Sequence, residues 1–287
     1  MNLRKILLWG GVVLLAFCIA FYLLLLVGIW ALQEQLLFAG RTNELVTTPA
    51  SRGWDYEDLW LDVVGEQTHG WWLPMAQARG VVLLAHGSGR NISGYLEDAA
   101  LYHDLGFSVL LYDYGGYGKS TGSPSEARCV ADARAMWDYL VETRGIPPGQ
   151  IVLAGSSLGG GVTGALAAQV APAAVILEST FTSMPDAARD MLPFIPAHWL
   201  CRIQFRTMDI VERLSCPLLI VHSKDDAVVP FSHGQQLFAR AREPKLFVEI
   251  EGAHYGGKFQ SREVYTAGLR RFFDAYVKLQ QPEEPGA

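Results

Sequence analysis

Ser157 is centred in Gly155-Ser156-Ser157-Leu158-Gly159, a G-x-S-x-G frame that follows the apolar run Ile151 to Ala154 and precedes a Gly- and Ala-rich helical stretch. A serine on a sharp strand-to-helix turn presents its hydroxyl above the sheet, and the flanking glycines let the chain turn without a Cβ collision. Of the two serines, only Ser157 stands between the glycines at the required spacing. The helix that begins at Leu158 aims unpaired backbone N–H groups at any negative charge developing beside that hydroxyl. Ser157 is therefore the candidate nucleophile, with a helix-capping serine in a Gly-rich turn as the structural alternative.

A hydroxyl is a weak nucleophile at neutral pH, so it needs an imidazole to take its proton and a carboxylate to orient that imidazole. On such an elbow the acid and then the base follow the serine in chain order. Order or position excludes His69, His86, His103 and His198, while His222 lies inside a strand and His233 comes only seven residues after Asp226. His254 remains as the base, in the loop Gly252-Ala253-His254-Tyr255-Gly256 after the last strand. The acid belongs in the loop after Leu218 to His222, which offers Asp225 and Asp226. Asp226 is preferred because Val228, Val229 and Pro230 can pack the end of its loop, whereas Asp225 suits a capping or solvent-facing place. Two backbone donors for an oxyanion are the Leu158 amide and, from His86-Gly87-Ser88-Gly89, the Ser88 amide. His86 itself reads as a strand-end residue that hydrogen-bonds to hold that loop.

The elements that must position these groups alternate short β-rich runs with helical stretches, which is the pattern of a parallel sheet with helices on both faces. The clearest strands are Val81 to Ala85, Phe107 to Asp113, Ile151 to Gly155, Ala174 to Glu178, Leu218 to His222 and Leu246 to Ile250. An antiparallel start is expected at Trp54 to Leu61 and Thr68 to Leu73. Helices are expected over Gly94 to Leu105, Ser125 to Glu142, Leu158 to Gln169 and Phe259 to Leu279. In the second, Cys129, Val130, Ala133, Met136, Trp137 and Leu140 fall at helical spacing; in the last, Val264, Leu269, Phe272, Phe273, Tyr276 and Leu279 form the expected buried stripe. Between Ser179 and Cys216 the pattern stops, with a short helix at Met184 to Leu192 and breaks at Pro185, Pro193 and Pro196. Residues 179–216 then form a small lid or side wall of a rather open site.

Half of the 287 residues are hydrophobic, enough for a sizeable core, but part of that total belongs to the first segment. Ile6 to Trp30 are free of charge over 25 residues, and as a helix they reach about 37 Å, enough to cross a hydrocarbon layer of roughly 30 Å. A cleavable signal has a shorter apolar region. Arg4 and Lys5 precede the run and Gln33, Glu34 and Gln35 follow it, which keeps the N-terminus cytoplasmic and the domain on the opposite side, the periplasm in a bacterium. The expected division is residues 1–33 as cytoplasmic tip and transmembrane anchor, 34–280 as the folded domain and 281–287 as a frayed tail. Leu36, Leu37 and Phe38 are the expected packing contacts of the connector. A net charge of −6 and the lack of a basic cluster argue against a nucleic-acid partner. Cys129, Cys201 and Cys216 lack metal-like spacing and read as buried apolar thiols, with a Cys201–Cys216 disulfide open in an oxidising compartment. Gly118-Lys119-Ser120 mimics the end of a phosphate loop without the glycine cradle, and Asn91-Ile92-Ser93 is a chance glycosylation acceptor.

With elbow, acid, base and His-Gly loop in order, the chain resembles the α/β-hydrolase superfamily over about Leu36 to Leu279. Asp113 to Gly122, Asp-Tyr-Gly-Gly-Tyr-Gly-Lys-Ser-Thr-Gly, looks like that superfamily's turn after the fourth strand. Within it the chain is most similar to membrane-anchored, cap-less α/β-hydrolase-domain serine hydrolases, a group that often has an arginine where this chain has Gly115. The resemblance implies an α/β fold with a mostly parallel eight-stranded sheet, helices on both faces and one N-terminal transmembrane helix. It implies a serine hydrolase that requires neither metal nor organic cofactor. The expected reaction is hydrolysis of a carboxylic ester or thioester, small or acylated, through an acyl-serine intermediate. Ser157 attacks, His254 serves as base and then acid, Asp226 orients it, and the lipid bilayer is engaged through residues 6–30. The competing readings are a serine peptidase or amidase on the same groups and a catalytically silent binding protein.

Overall fold

Four of the expected strands, Val81 to Ala85, Ile151 to Gly155, Ala174 to Glu178 and Leu218 to His222, are apolar but for at most their last residue because both of their faces are covered. In the computed structural model, which describes residues 2–279, the strands are β1 (Glu57–Val63), β2 (Glu66–Leu73), β3 (Val81–Ala85), β4 (Ser108–Tyr112), β5 (Ile151–Ser156), β6 (Ala174–Glu178), β7 (Leu218–Ser223) and β8 (Lys245–Ile250). They form one sheet in the order β1-β2-β4-β3-β5-β6-β7-β8. Only β2 runs against its neighbours; every other pair is parallel. The order reverses between β4 and β5, on either side of β3, so the crevice outside the carboxyl ends of these strands is where an open α/β sheet places its ligands. The expected tail at 281–287 lies outside the described residues.

The helices are α1 (Leu3–Leu37), α2 (Leu96–His103), α3 (Glu126–Asp138), α4 (Leu158–Ala167), α5 (Met184–Met191), α6 (Ala197–Leu200), α7 (Thr207–Val211), α8 (Phe231–Arg240), α9 (Gly257–Gln260) and α10 (Arg262–Tyr276). Side chains alternate across the sheet. Val81, Leu83 and Ala85 join the core under α3, α4 and α8, while Val82 and Leu84 join a second core under α2 and α10. Residues 179–216, expected as a lid or wall, carry the short helices α5, α6 and α7.

Helix α3 starts where Ser125 Oγ accepts a hydrogen bond from the Arg128 amide at 3.1 Å, an N-cap that satisfies one otherwise unpaired donor. Cys129, Ala133, Met136, Trp137 and Leu140 are buried as their spacing implies. Apolar periodicity did not reveal that Arg128 and Asp132 are buried too. Arg128 Nε donates to Asp132 Oδ1 at 2.8 Å, and Asp132 Oδ2 accepts from the Gly115 amide at 2.8 Å. The Arg128 side chain lies over Gly115, where an added Cβ would sit 2.9 Å from Arg128 Cγ. The space that an arginine at 115 would need is thus filled from α3.

Two expectations change at the ends of the domain. The helix expected over Phe259 to Leu279 is divided at Ser261 into α9 and α10, and Val264 and Tyr276 are exposed at 54 % and 37 %. Tyr265, Leu269, Phe272 and Phe273 form the inner face instead, one helical step from Val264. Of the three expected connector contacts only Phe38 is buried, its ring edge-on to Tyr117 with centroids 6.2 Å apart, whereas Leu36 faces outward. Cys201 and Cys216 are free, partly buried thiols rather than a disulfide. Helix α1 is long and apolar enough to cross a membrane, with mean hydropathy 3.0 in its most apolar stretch.

Asp132→Ala should leave the buried Arg128 guanidinium and the Gly115 amide without their acceptor, destabilising the fold by about 3 to 5 kcal/mol. Thermal unfolding followed by circular dichroism measures it; an unchanged Tm would show that the pair is dispensable.

Candidate active site

Ser157 holds φ 55° and ψ −119° at the turn from β5 into α4. A non-glycine residue there costs on the order of 1 to 3 kcal/mol and persists only where its surroundings over-determine it. Here they do. The Ser157 amide donates to the Glu178 carbonyl at 2.9 Å, and its carbonyl accepts from the Gly160 amide at 2.9 Å and Thr180 Oγ1 at 2.7 Å. The two glycines of the frame are required by contact rather than by dihedral angle. A Cβ at Gly155 would lie 2.1 Å from the Gly159 carbonyl oxygen, and a Cβ at Gly159 would lie 2.1 Å from the Ala85 carbonyl oxygen.

Three residues from the ends of β5, β7 and β8 meet above this turn. His254 Nε2 is 3.0 Å from Ser157 Oγ, and His254 Nδ1 is 2.7 Å from Asp226 Oδ2. A carboxylate only accepts, so Nδ1 carries the hydrogen and Nε2 is left to accept the serine proton. Asp226 Oδ1 is itself fixed by the amides of Val228 at 2.9 Å and Val229 at 2.8 Å. Burial pushes the Asp226 carboxyl up, but the hydrogen bond and charge of His254 and the two amides outweigh it, holding its pKa below the usual carboxylate value. Asp225 points elsewhere, its Oδ2 accepting from the Gly252 amide at 2.8 Å, which ties the acid loop to the base loop.

His222 and His233 flank this group in structural roles. His222 Nε2–H donates to the Val229 carbonyl at 2.9 Å, and burial lowers its pKa. His233 Nδ1 accepts from the Thr182 amide at 3.1 Å while Nε2 is 3.0 Å from Asp190 Oδ2, which fastens residues 182–190 to α8.

The His86 loop is held by its carbonyls. His86 Nδ1–H donates to the Gly87 carbonyl at 2.7 Å, Tyr114 Oη to the His86 carbonyl at 2.7 Å, and Tyr117 Oη to the Ser88 carbonyl at 2.8 Å. Across a trans peptide the N–H points opposite to the C=O, so the Ser88 amide faces away from the His86 ring that takes the Gly87 carbonyl. A Cβ at Gly87 would lie 3.6 Å from Ser157 Cβ, which measures how closely the loop approaches the elbow. Asn91 is buried, donating through Nδ2 to the carbonyls of Thr42 at 3.1 Å and Glu44 at 2.8 Å. Its amide joins the connector to this loop and is closed to glycosylation in the folded chain.

A cavity of about 450 Å³ opens beside Ser157 and His254, lined also by Gly40, Tyr95, Asp98 and Lys258. Sequence reasoning missed its charged wall. Lys258 Nζ contacts Asp98 Oδ1 at 2.6 Å and the Glu178 carboxylate, which also accepts from Tyr265 and from Tyr102 at 2.8 Å. Burial works against the Lys258 charge, yet the two carboxylates hold its pKa above the ordinary lysine range. The available signal was Glu178, a single charge ending the apolar strand Ala-Val-Ile-Leu-Glu.

A family model described as Serine aminopeptidase, S33 matches residues 76–203. The α/β-hydrolase domain-containing protein WAV2 of Arabidopsis thaliana is 32 % identical over 284 residues, covering 89 % of this chain and 92 % of that one. An uncharacterized protein of Mycobacterium tuberculosis is 31 % identical over 261 residues, with 88 % and 91 % covered. A solved Pyrococcus furiosus esterase matches with TM-score 0.71 over 83 % of this chain and 97 % of its own, and at 16 % identity this likeness concerns the fold.

Because the folded state keeps the His222 imidazole neutral, the unfolded chain takes up its proton first as pH falls below about 6.5, and stability drops with it. The slope from this one group is at most about 1.4 kcal/mol per pH unit. His222→Gln keeps a donor for Val229 and should flatten the fall of Tm between pH 7 and 5. An identical slope in the variant would assign that acid sensitivity to other groups.

Proposed function

Because the chain belongs to the α/β-hydrolase superfamily, we propose that it is a serine hydrolase that cleaves carboxylic esters or thioesters through an acyl-serine intermediate. The observation that carries this reading is the unbroken relay from Asp226 through His254 to Ser157, at 2.7 and 3.0 Å. As Ser157 Oγ bonds to the substrate carbonyl carbon, its proton passes to His254 Nε2, and the imidazolium is stabilised by Asp226. The carbonyl oxygen becomes an oxyanion, received by the Leu158 amide at the N-terminus of α4 and by the Ser88 amide. His254 returns the proton to the departing alcohol or thiol. A water then attacks the acyl-serine with His254 as base, releasing the acid and restoring the hydroxyl.

Helix α1 acts in this proposal as a membrane anchor, with a cytoplasmic N-terminus and the domain on the opposite side. Gly40, on the cavity wall, is only three residues beyond α1. This short tether, with Tyr95 and Phe259 on the wall, favours lipid-like or acylated substrates. A second reading, a peptidase or amidase, is favoured by the description of the matched family model.

Ser157→Ala should abolish covalent labelling by a fluorophosphonate probe and lower ester hydrolysis by at least on the order of 10⁴-fold, with Asp226→Asn losing a comparable factor. Hydrolysis surviving Ser157→Ala would remove the acyl-serine route. A panel of acyl esters of graded length beside peptide amides separates the two readings by which class shows the higher kcat/KM.

A further inference from the structure

The stretch Met191-Leu-Pro-Phe-Ile-Pro-Ala-His-Trp-Leu-Cys201 has no Asp, Glu, Lys or Arg and lies between Asp190 and Arg202. Its apolar side chains are turned outward: Phe194 is 92 % exposed, Trp199 86 % and Met191 60 %. Scattered exposed apolar residues are ordinary, but two nearly bare aromatics in one uncharged loop mark an interaction surface.

What faces that surface is stated by its contacts with α1. Gln33 Nε2 donates to the Leu200 carbonyl at 3.0 Å, and Gln33 Oε1 accepts from the Arg202 amide at 2.6 Å. The Arg202 guanidinium stacks 4.8 Å from the centre of the Trp30 ring. Further down the helix, Tyr22 Oη donates to the Phe194 carbonyl at 3.3 Å. Tyr22 precedes Trp30 by eight residues, or about 12 Å of helix. The loop therefore runs from the polar end of α1 down alongside its uncharged part. Trp30 with Arg202 has the aromatic and cationic character of a membrane–water interface, and Phe194 lies on the apolar side of it.

We propose that residues 191–200 form a second membrane-contacting element, a loop that dips into the bilayer beside α1 and is covered there by lipid. The proposal rests on the reading of α1 as the anchor. Polar groups in hydrocarbon need partners within the protein, and most of the loop's backbone donors have them. Pro193 and Pro196 have no N–H, the amides of Ile195, Ala197, Leu200 and Cys201 bond within the loop, and the Phe194 and Leu200 carbonyls are taken by Tyr22 and Gln33. His198, the titratable side chain of the stretch, turns back to Asp186 with Nδ1 to Oδ1 at 3.5 Å. The same segment starts at the elbow, where Thr180 Oγ1 holds the Ser157 carbonyl, and is pinned midway by Asp190 on His233. Lipid contact at Phe194 thus reaches the nucleophile through about a dozen residues of continuously bonded chain.

The test is photocrosslinking of the full chain in phosphatidylcholine–phosphatidylglycerol vesicles, with p-benzoylphenylalanine replacing Phe194, Trp199, Leu15 or Arg271 one at a time. Phe194 and Trp199 are exposed, so the probe disturbs no packing. Lipid adducts are expected at 194, 199 and 15, and none at the exposed α10 position 271. Adducts at 15 without adducts at 194 and 199 would overturn the dipping loop while leaving the anchor standing. Absence at 15 as well would overturn the anchor, and the loop with it. A protein–protein dimer as the main product at 194 would assign the surface to a second copy and likewise overturn lipid as its occupant.

Discussion

The backbone of α4 lies directly on the sheet, with no side chain between. The Gly159 carbonyl approaches Gly155, and Gly159 approaches the end of β3 at Ala85, each so closely that a single methyl group would collide at 2.1 Å. This contact sets where α4 begins, and so compels the unfavourable φ at Ser157 that lifts its hydroxyl out of the sheet. The strain, on the order of 1 to 3 kcal/mol, is offset by what the close approach permits: Leu158, Val162 and Leu166 seated in the core of one face. Every other group of the site is placed relative to that turn. Asp226 and His254 come from strand ends two and three positions away in the same sheet, and the sheet fixes their spacing.

Charge at the site is arranged in two layers with different tasks. Above the elbow, Asp226 is saturated by His254 and two amides, so it accepts in one direction only and leaves the imidazole a single orientation. Below and beside it, Lys258 pairs with both Asp98 and Glu178, and tyrosine hydroxyls occupy a Glu178 oxygen. A buried carboxylate without partners would raise its own pKa and take up a proton. The Glu178 carbonyl receives the Ser157 amide, so disorder in this cluster would be passed straight to Ser157. The ion cluster is thus better understood as a floor for the elbow than as a second reactive centre.

Much of the fold was legible because a parallel sheet buried on both faces writes itself as apolar runs, and β3 to β8 fall within a residue of those runs, while half-exposed β1 begins three residues later than expected. Ser157 and His254 were legible for a different reason: the elbow allows one frame, and chain order and position together left one histidine. The choice of Asp226 over Asp225 rested on packing of the residues that follow, and the two carboxylates do take different partners. What stayed hidden were polar groups that replace apolar ones at inward positions, such as Arg128 and Asp132 on α3 and Tyr265 on α10. Hydrophobic periodicity treats such positions as outward-facing, so it assigned Val264 the place that Tyr265 holds. Long-range pairs, Asp98 with Lys258 above all, leave no local trace.

The connector between α1 and β1 makes that helix and the candidate site one mechanical unit. Phe38 is driven into the core against Tyr117, the Gly40 carbonyl accepts from the Arg90 amide at 2.7 Å, and Asn91 holds Thr42 and Glu44. Tyr117 and Arg90 belong to, or bond to, the loop that carries the Ser88 amide. A flexible tether would have let the domain turn freely on α1; three fixed points within seven residues do not. Elsewhere, Gln33 and Tyr22 hold the loop after α5, and Thr180, just before α5, holds the Ser157 carbonyl. Helix α1 is therefore bonded, directly or through the connector, to both segments that border Ser157.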